Sequence, residues 1–270
     1  MTIAIGTANL GKEFNENFFK VFVYAIENGI TIHSSLEYEN VSQYFLEAKK
    51  IILRSPKTIL KITVSKNPIK NKKKISEQIN NNMKRFGIET IENIKLCNNP
   101  LKIFPFDYML KKTLDELRRK KIVKKIFLEI FPSYEKNIKK YLNDSFYDGF
   151  LFEFNLLRRS ISDEFLYEIL NSQKKIIIYS PFLSGKINDS NNSYKNLFKE
   201  FSNNPQFKDN FHLTYGMINF LKNNLDFVIF GTQNIERLNN LKRCFDLDLI
   251  KINSDEFKLI VNNQNTINKY

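Results

Sequence analysis

Along the chain, short apolar runs of strand character alternate with longer segments in which apolar residues recur every three or four positions. The first five are Thr2 to Ile5 (strand), Glu13 to Asn28 (helix), Ile30 to His33 (strand), Val41 to Leu53 (helix) and Thr58 to Val64 (strand). The alternation continues with helices over Lys74 to Phe86, Tyr108 to Lys120, Tyr134 to Asn143 and Asp163 to Asn171. The strands between and after them cover Glu92 to Leu96, Lys125 to Ile130, Gly149 to Glu153 and Lys175 to Tyr179. Near the end, Asp226 to Phe230 reads as a strand and Ile235 to Phe245 as a helix.

About eight strands, each followed by a helix or a loop and helix, predict a parallel sheet that closes on itself, the (β/α)8 barrel. An open doubly wound sheet is the structural rival. Its glycine-rich phosphate turn is missing, because Gly6-Thr7-Ala8-Asn9-Leu10-Gly11 does not match GxGxxG. The 270 residues fit one domain spanning 1–270, since barrels of about 250 residues form single domains. The stretch Gly185 to Asp209, rich in Asn, Ser and Asp, predicts a long loop at the catalytic face.

Composition narrows the class. No run approaches the roughly 18 apolar residues that a membrane-spanning helix needs. The N-terminus also lacks the pattern of a secretory signal, so a cytoplasmic protein is expected. The two cysteines, Cys97 and Cys244, fit no metal spacing and no disulfide framework, so reduced thiols and no metal site are expected. The net charge of +13 would suit a polyanion. The lysines are scattered, however, in a chain also heavy in Asn and Ile, which argues against a nucleic-acid partner. The densest basic run, Lys70-Asn71-Lys72-Lys73-Lys74, reads as a solvated loop.

Several collinear segments resemble the aldo-keto reductase family. They are Ile5-Gly6-Thr7-Ala8-Asn9-Leu10-Gly11, Ala25-Ile26-Glu27-Asn28-Gly29-Ile30 and the approach to Tyr38. Later come Leu114 to Leu117, Glu153 to Arg159, Tyr179-Ser180-Pro181-Phe182-Leu183-Ser184-Gly185 and Gly231-Thr232-Gln233-Asn234-Ile235-Glu236-Arg237-Leu238. The order of these pieces carries the resemblance, since Gly-Thr and Ser-Pro pairs alone are common turn chemistry. The looser matches look closest to bacterial members associated with surface-polysaccharide sugar metabolism.

That resemblance implies NADP(H)-dependent reduction of a carbonyl or sugar. Tyr38 would donate the proton, and Lys61 would lower the cost of forming its phenolate. Lys66 is an alternative to Lys61. Two members of the family's catalytic tetrad are missing: His33-Ser34-Ser35 offers no aspartate, and Cys97 stands where a histidine would be. Glu129 and Leu151 replace residues that would hold the nicotinamide amide, and Phe131 takes the place of a ring that can pack on it. The resemblance gives a cofactor role to Thr7, Tyr179, Ser180, Leu183 and Gly185, with Gly231, Thr232, Arg237 and Asn240 at the ribose phosphate and adenine. At the last of these, Leu241 holds the strict position. The opposing reading is a barrel that has lost catalysis and keeps a nucleotide or phosphate site, or serves a protein partner. In the plainer readings of single residues, Lys61 pairs with Glu37 or Glu129, and His33 is a satisfied strand histidine.

Overall fold

A computed structural model describes residues 2–7, 14–34, 40–63, 68–97, 107–131, 135–183, 199, 201, 204–246 and 250–266. Its strands in chain order are β1 (Thr2–Gly6), β2 (Thr31–Ser34), β3 (Thr58–Thr63), β4 (Ile91–Cys97) and β5 (Val123–Glu129). They continue with β6 (Gly149–Glu153), β7 (Arg158–Arg159), β8 (Lys175–Tyr179), β9 (Leu225–Phe230) and β10 (Asn265–Thr266). Eight of them close a barrel in the order β1-β2-β3-β4-β5-β6-β8-β9, and β10 pairs with β7 outside it. Every barrel pairing is parallel, including β9 back to β1, so each crossover must carry the chain back to the starting end.

Period-2 alternation sorts the strand residues into two cores. Outward positions such as Ile3, Ile5, Ile126 and Leu128 join the shell between strands and helices. The intervening Ala4, Ile59, Phe127, Leu151, Ile177, Phe227 and Ile229 form a separate apolar plug in the lumen. One rim of the plug is polar: Asp226 bonds Asn93 at 3.2 Å and pairs with Lys125 at 2.6 Å. The lumen is therefore packed solid, as barrel interiors are, and chemistry is confined to its mouth.

The surrounding helices follow the sequence pattern. In α1 (Glu16–Glu27), Phe18, Val21, Phe22, Ala25 and Ile26 fall on one buried face, and Asn15 caps the first turn by accepting from the Phe18 N–H. The helix Pro68–Phe86 begins earlier than the pattern predicts, so Lys70 to Lys74 lie in its first turns rather than in a loop. A proline is well suited to a first helical position, where its missing N–H has no partner to lose, and lysines propagate a helix readily. The helix expected over Tyr134 to Asn143 is confined to Glu135–Lys139 and is followed by turns.

Two helices were not legible in the pattern. Asn210–Phe220 is buried at Leu213, Thr214, Gly216, Met217, Ile218 and Asn219, nearly all round, which leaves no polar stripe to reveal its period. Ser254–Asn263 carries a full capping box between Asn253 and Glu256. Most of Gly185 to Asp209, the predicted loop, lies outside the described residues. Its last residue, Asp209, caps the helix Asn210–Phe220. Among the described residues no helix is long and apolar enough to cross a membrane.

Candidate active site

Moving two residues toward the C-terminal end from each plug position identifies what lines the mouth. Ile59 leads to Lys61, Phe127 to Glu129, and Ile177 to Tyr179. On β4, Lys95 is the register partner of Lys61 on β3. Its ammonium forms an ion pair with Glu129 at 2.8 Å, with the two side chains only 8% and 6% exposed. The same ammonium stands 5.1 Å from the centre of the half-buried Tyr179 ring. An ammonium in this position is held by a carboxylate and by the negative face of an aromatic ring, two interactions that strengthen away from water.

His33, on β2 beside β3, faces the same charges. Burial, then the Lys95 charge, then that of Lys61, hold its imidazole well below the usual histidine range. It is therefore neutral at pH 7. Among the described residues, its Nε2 is sealed from solvent without a hydrogen-bond partner. Glu129 Oε2 is likewise buried, with no hydrogen-bond partner among the described residues.

The depressed His33 value fixes a sign. The unfolded chain takes up this proton near pH 6.5, and the native chain takes it up only at lower pH. The stability contributed by a neutral His33 is thus complete above about pH 6.5 and is lost as pH falls below it. Melting temperatures of wild type and His33→Gln should diverge less at about pH 5 than at about pH 7. A constant difference across that range would show that His33 does not titrate in this way.

The expected cofactor residues fall into separate groups. Thr7 is buried just past β1, and its hydroxyl and N–H both donate to the His33 carbonyl, at 3.1 and 3.2 Å, tying β1 to β2 at the mouth. Beyond Tyr179, Ser180 and Leu183 have φ of 55° and 45°, left-handed values that cost energy for residues with a Cβ. The loop between them is closed by the Leu183 N–H donating to the Ser180 carbonyl at 3.1 Å. Phe182 packs on Phe211 and Tyr215.

After β9, Thr232 Oγ1 accepts from the Asn234 N–H at 3.2 Å, and Asn234 Oδ1 accepts from the Arg237 N–H at 3.1 Å. These bonds shape the exposed start of the helix Ile235–Asp246. Gly231, Arg237 and Asn240 are exposed, whereas Leu241 is buried, so Asn240 rather than Leu241 presents its side chain to solvent there. Tyr215 lies near Arg237. Burial, the Cys244 thiol and Asp209 push its phenol up to about 12, against the opposing pull of Arg237, so it stays a neutral phenol at pH 7. Cys244 is a free thiol pushed up by burial.

Tyr38, Gly185, Lys66 and Glu37 lie outside the described residues, as does the side chain of Cys97. The structure thus places Lys61 in register with Lys95 and electrostatically close to His33, sets Lys95 against Glu129 and Tyr179, and brings Arg237 together with the Thr232–Asn234 turn. Lys95 and its pairing with Glu129 were missed from sequence. The signal was available: Ile94-Lys95-Leu96 places a lysine inside an apolar strand run, the same feature that singled out Lys61.

No family model and no curated protein matches the sequence. Solved structures do match. An aldo-keto reductase from Bacillus halodurans in its holo form is similar, with 16% identity and a TM-score of 0.72, covering 97% of this chain and 91% of that one. A Bombyx mori aldo-keto reductase in complex with NADP has 14% identity and a TM-score of 0.69, covering 97% and 88%. An aldo/keto reductase from Brucella melitensis has 14% identity and a TM-score of 0.65, covering 97% and 92%. The chain therefore has the (β/α)8 barrel fold of the aldo-keto reductases over nearly its whole length.

Proposed function

We propose that the chain, as one domain, is an NADP(H)-dependent oxidoreductase that reduces the carbonyl of a small aldehyde, ketone or sugar. The observation that carries this reading is the charged mouth of half-buried Lys61 with buried Lys95 and Glu129, beside neutral His33 and the Tyr179 ring, at the same end of the barrel as the exposed Thr232–Arg237 turn.

The residues fit the tail of a dinucleotide. The start of the helix Ile235–Asp246 is exposed, with the Arg237 N–H held by Asn234, and the Arg237 side chain adds a positive charge suited to a phosphate. Tyr179 offers a ring at the mouth. The nicotinamide, when bound, supplies a hydride to the carbonyl carbon. The chain's own part is to favour the negative charge that develops on the carbonyl oxygen. Desolvated ammonium groups do this well, because they need no reorganisation and are little screened. Tyr38 is proposed as the proton donor, with Lys61 favouring its phenolate.

Titration with NADPH, read by quenching of tyrosine fluorescence, tests this. Micromolar binding is expected, and Arg237→Ala should weaken it by about 1.5 to 3 kcal/mol, roughly ten- to 150-fold. No binding at about 1 mM NADPH would sink the reading. A second reading, a barrel that binds a ligand without catalysis, is favoured by one feature: His33 and Ser34 stand on β2 where the resemblance implies an aspartate. It would follow from tight nucleotide binding with no turnover of any aldehyde or sugar.

A further inference from the structure

Single apolar side chains in water need no explanation, but several together mark a surface that meets something less polar. Among the described residues four large apolar side chains are exposed, and three of them fall in the segment 46–53: Leu46 at 52%, Ile51 at 65% and Leu53 fully. The helix Asn40–Ile51 buries Val41, Tyr44, Phe45 and Ala48, with Ile52 just beyond its end. Leu46, Lys49, Lys50 and Leu53 recur three or four residues apart outside that buried face, so two leucines bracket two lysines on the outward side.

The ground around them is basic. Arg54 and Lys57, in the turn before β3, are exposed, as are Lys84 and Arg85 at the end of the helix Pro68–Phe86. Arg85 donates to Ser42 Oγ at 3.2 Å, the Lys49 side chain lies beside Gly87, and Arg54 donates to the Glu27 carbonyl at 3.0 Å. Three helix ends thus form one surface, at the end of the barrel where the strands begin and opposite the mouth. Six cations stand there against three carboxylates, Glu27, Glu47 and Glu89, and Lys50 already holds Glu47 at 2.8 Å.

A second copy of this chain would bring the same positive charge against the patch. A nucleic acid would suit the charge, but its bases stack on aromatic rings and the exposed side chains are aliphatic. Leu53 protrudes with its whole side chain in water, so a protein partner would need a pocket shaped to receive it. Lipid closes around such a side chain without one. The aliphatic groups enter the bilayer interface, while lysine and arginine stems lie alongside with their charges at the phosphates. We propose that Leu46, Ile51 and Leu53, with the cations around them, dock the protein peripherally on a lipid bilayer that carries anionic headgroups. The mouth is then directed away from the lipid, and such docking holds whether or not the barrel reduces carbonyls.

A net charge of +13 draws the whole molecule to any anionic surface, so insertion must be read as well as adsorption. The chain contains no tryptophan, and Leu53→Trp places a single indole in the patch. Its emission should move to the blue on vesicles mixed from phosphatidylglycerol and phosphatidylcholine, and should stay unchanged on phosphatidylcholine alone. In vesicle sedimentation, Ile51→Ser with Leu53→Ser keeps the charge and should weaken binding to the mixed vesicles about tenfold or more. Lys49→Ala with Lys50→Ala should also weaken it about tenfold or more, whereas Lys208→Ala with Lys258→Ala, equal in charge and exposed near the C-terminal helices, should change it less than about threefold. Thermal melts of all these surface variants should match wild type.

An indole emission that stays unchanged while the protein sediments, or equal binding by wild type and the serine variant, would overturn the proposal and leave charge alone as the attraction. Blue-shifted emission before vesicles are added would overturn it in favour of a second copy. Binding to a short DNA duplex that exceeds binding to the mixed vesicles, undiminished in the serine variant, would overturn it in favour of a nucleic acid.

Discussion

Gly149→Ala is expected to be among the most damaging single-methyl additions in the molecule. Gly149 opens β6 and is in register with Phe127 on β5 and Lys175 on β8. A Cβ there would overlap the Lys175 backbone carbonyl, and it would lie 2.7 Å from that carbonyl carbon and 2.8 Å from Phe127 Cε1. Neither neighbour can yield easily. The carbonyl belongs to a strand hydrogen-bonded on both sides in a closed barrel, and Phe127 fills the lumen plug. A loss of about 4 kcal/mol or more is expected, against a total stability of roughly 5 to 15 kcal/mol. The melting temperature should drop by roughly 8 to 16 °C, or the chain should fail to fold.

Gly87→Ala provides the contrast. Gly87 has φ of 61°, and the atoms nearest to an added Cβ belong to the Lys49 side chain. That side chain can swing away, leaving a backbone cost of about 1 kcal/mol. Thermal melts of the two variants decide the matter: a Gly149→Ala protein within about 1 kcal/mol of wild type would mean the barrel wall relaxes where a closed sheet should not.

The barrel was legible in the sequence because its strands are short, β-branched and separated by amphipathic helices. Ile59, Phe127 and Ile177 advertise the lumen by alternating with outward Leu60, Ile126 and Ile176. The helix Asn210–Phe220 was hidden for the opposite reason, since burial on most sides removes the periodicity that reveals a helix. The mouth was half legible. Lys61 stood out as a cation in an apolar run. Lys95 gave the same signal on the next strand but matched no residue of the tetrad, and its partner Glu129 is 34 residues further along, a pairing that barrel closure alone creates. Likewise, nothing local to His33 tells that burial, together with lysines on the next two strands, suppresses its protonation. These are long-range consequences of register, and a strand pattern read singly does not contain them.

Lys95→Met should be the most destabilising change at the mouth. It preserves volume and keeps a polarisable group near Tyr179, so cavity formation is a minor effect. What remains is a Glu129 carboxylate with neither oxygen partnered, buried to within 7% of its surface. Breaking such a pair on one side costs about 3 to 5 kcal/mol, because the stranded charge keeps its desolvation penalty. Adding Glu129→Leu should restore the double variant to within about 1 kcal/mol of wild type, since an apolar replacement of a buried ion pair is commonly neutral. Urea melts of the wild type, both single variants and the double variant measure this coupling. If Lys95→Met alone costs less than about 1 kcal/mol at pH 7, Glu129 is neither as dry nor as dependent on Lys95 as its 2.8 Å contact indicates. If the double variant is as stable as wild type, the ion pair contributes nothing to folding that a hydrophobic pair would not. Its presence in the mouth is then explained by what it binds.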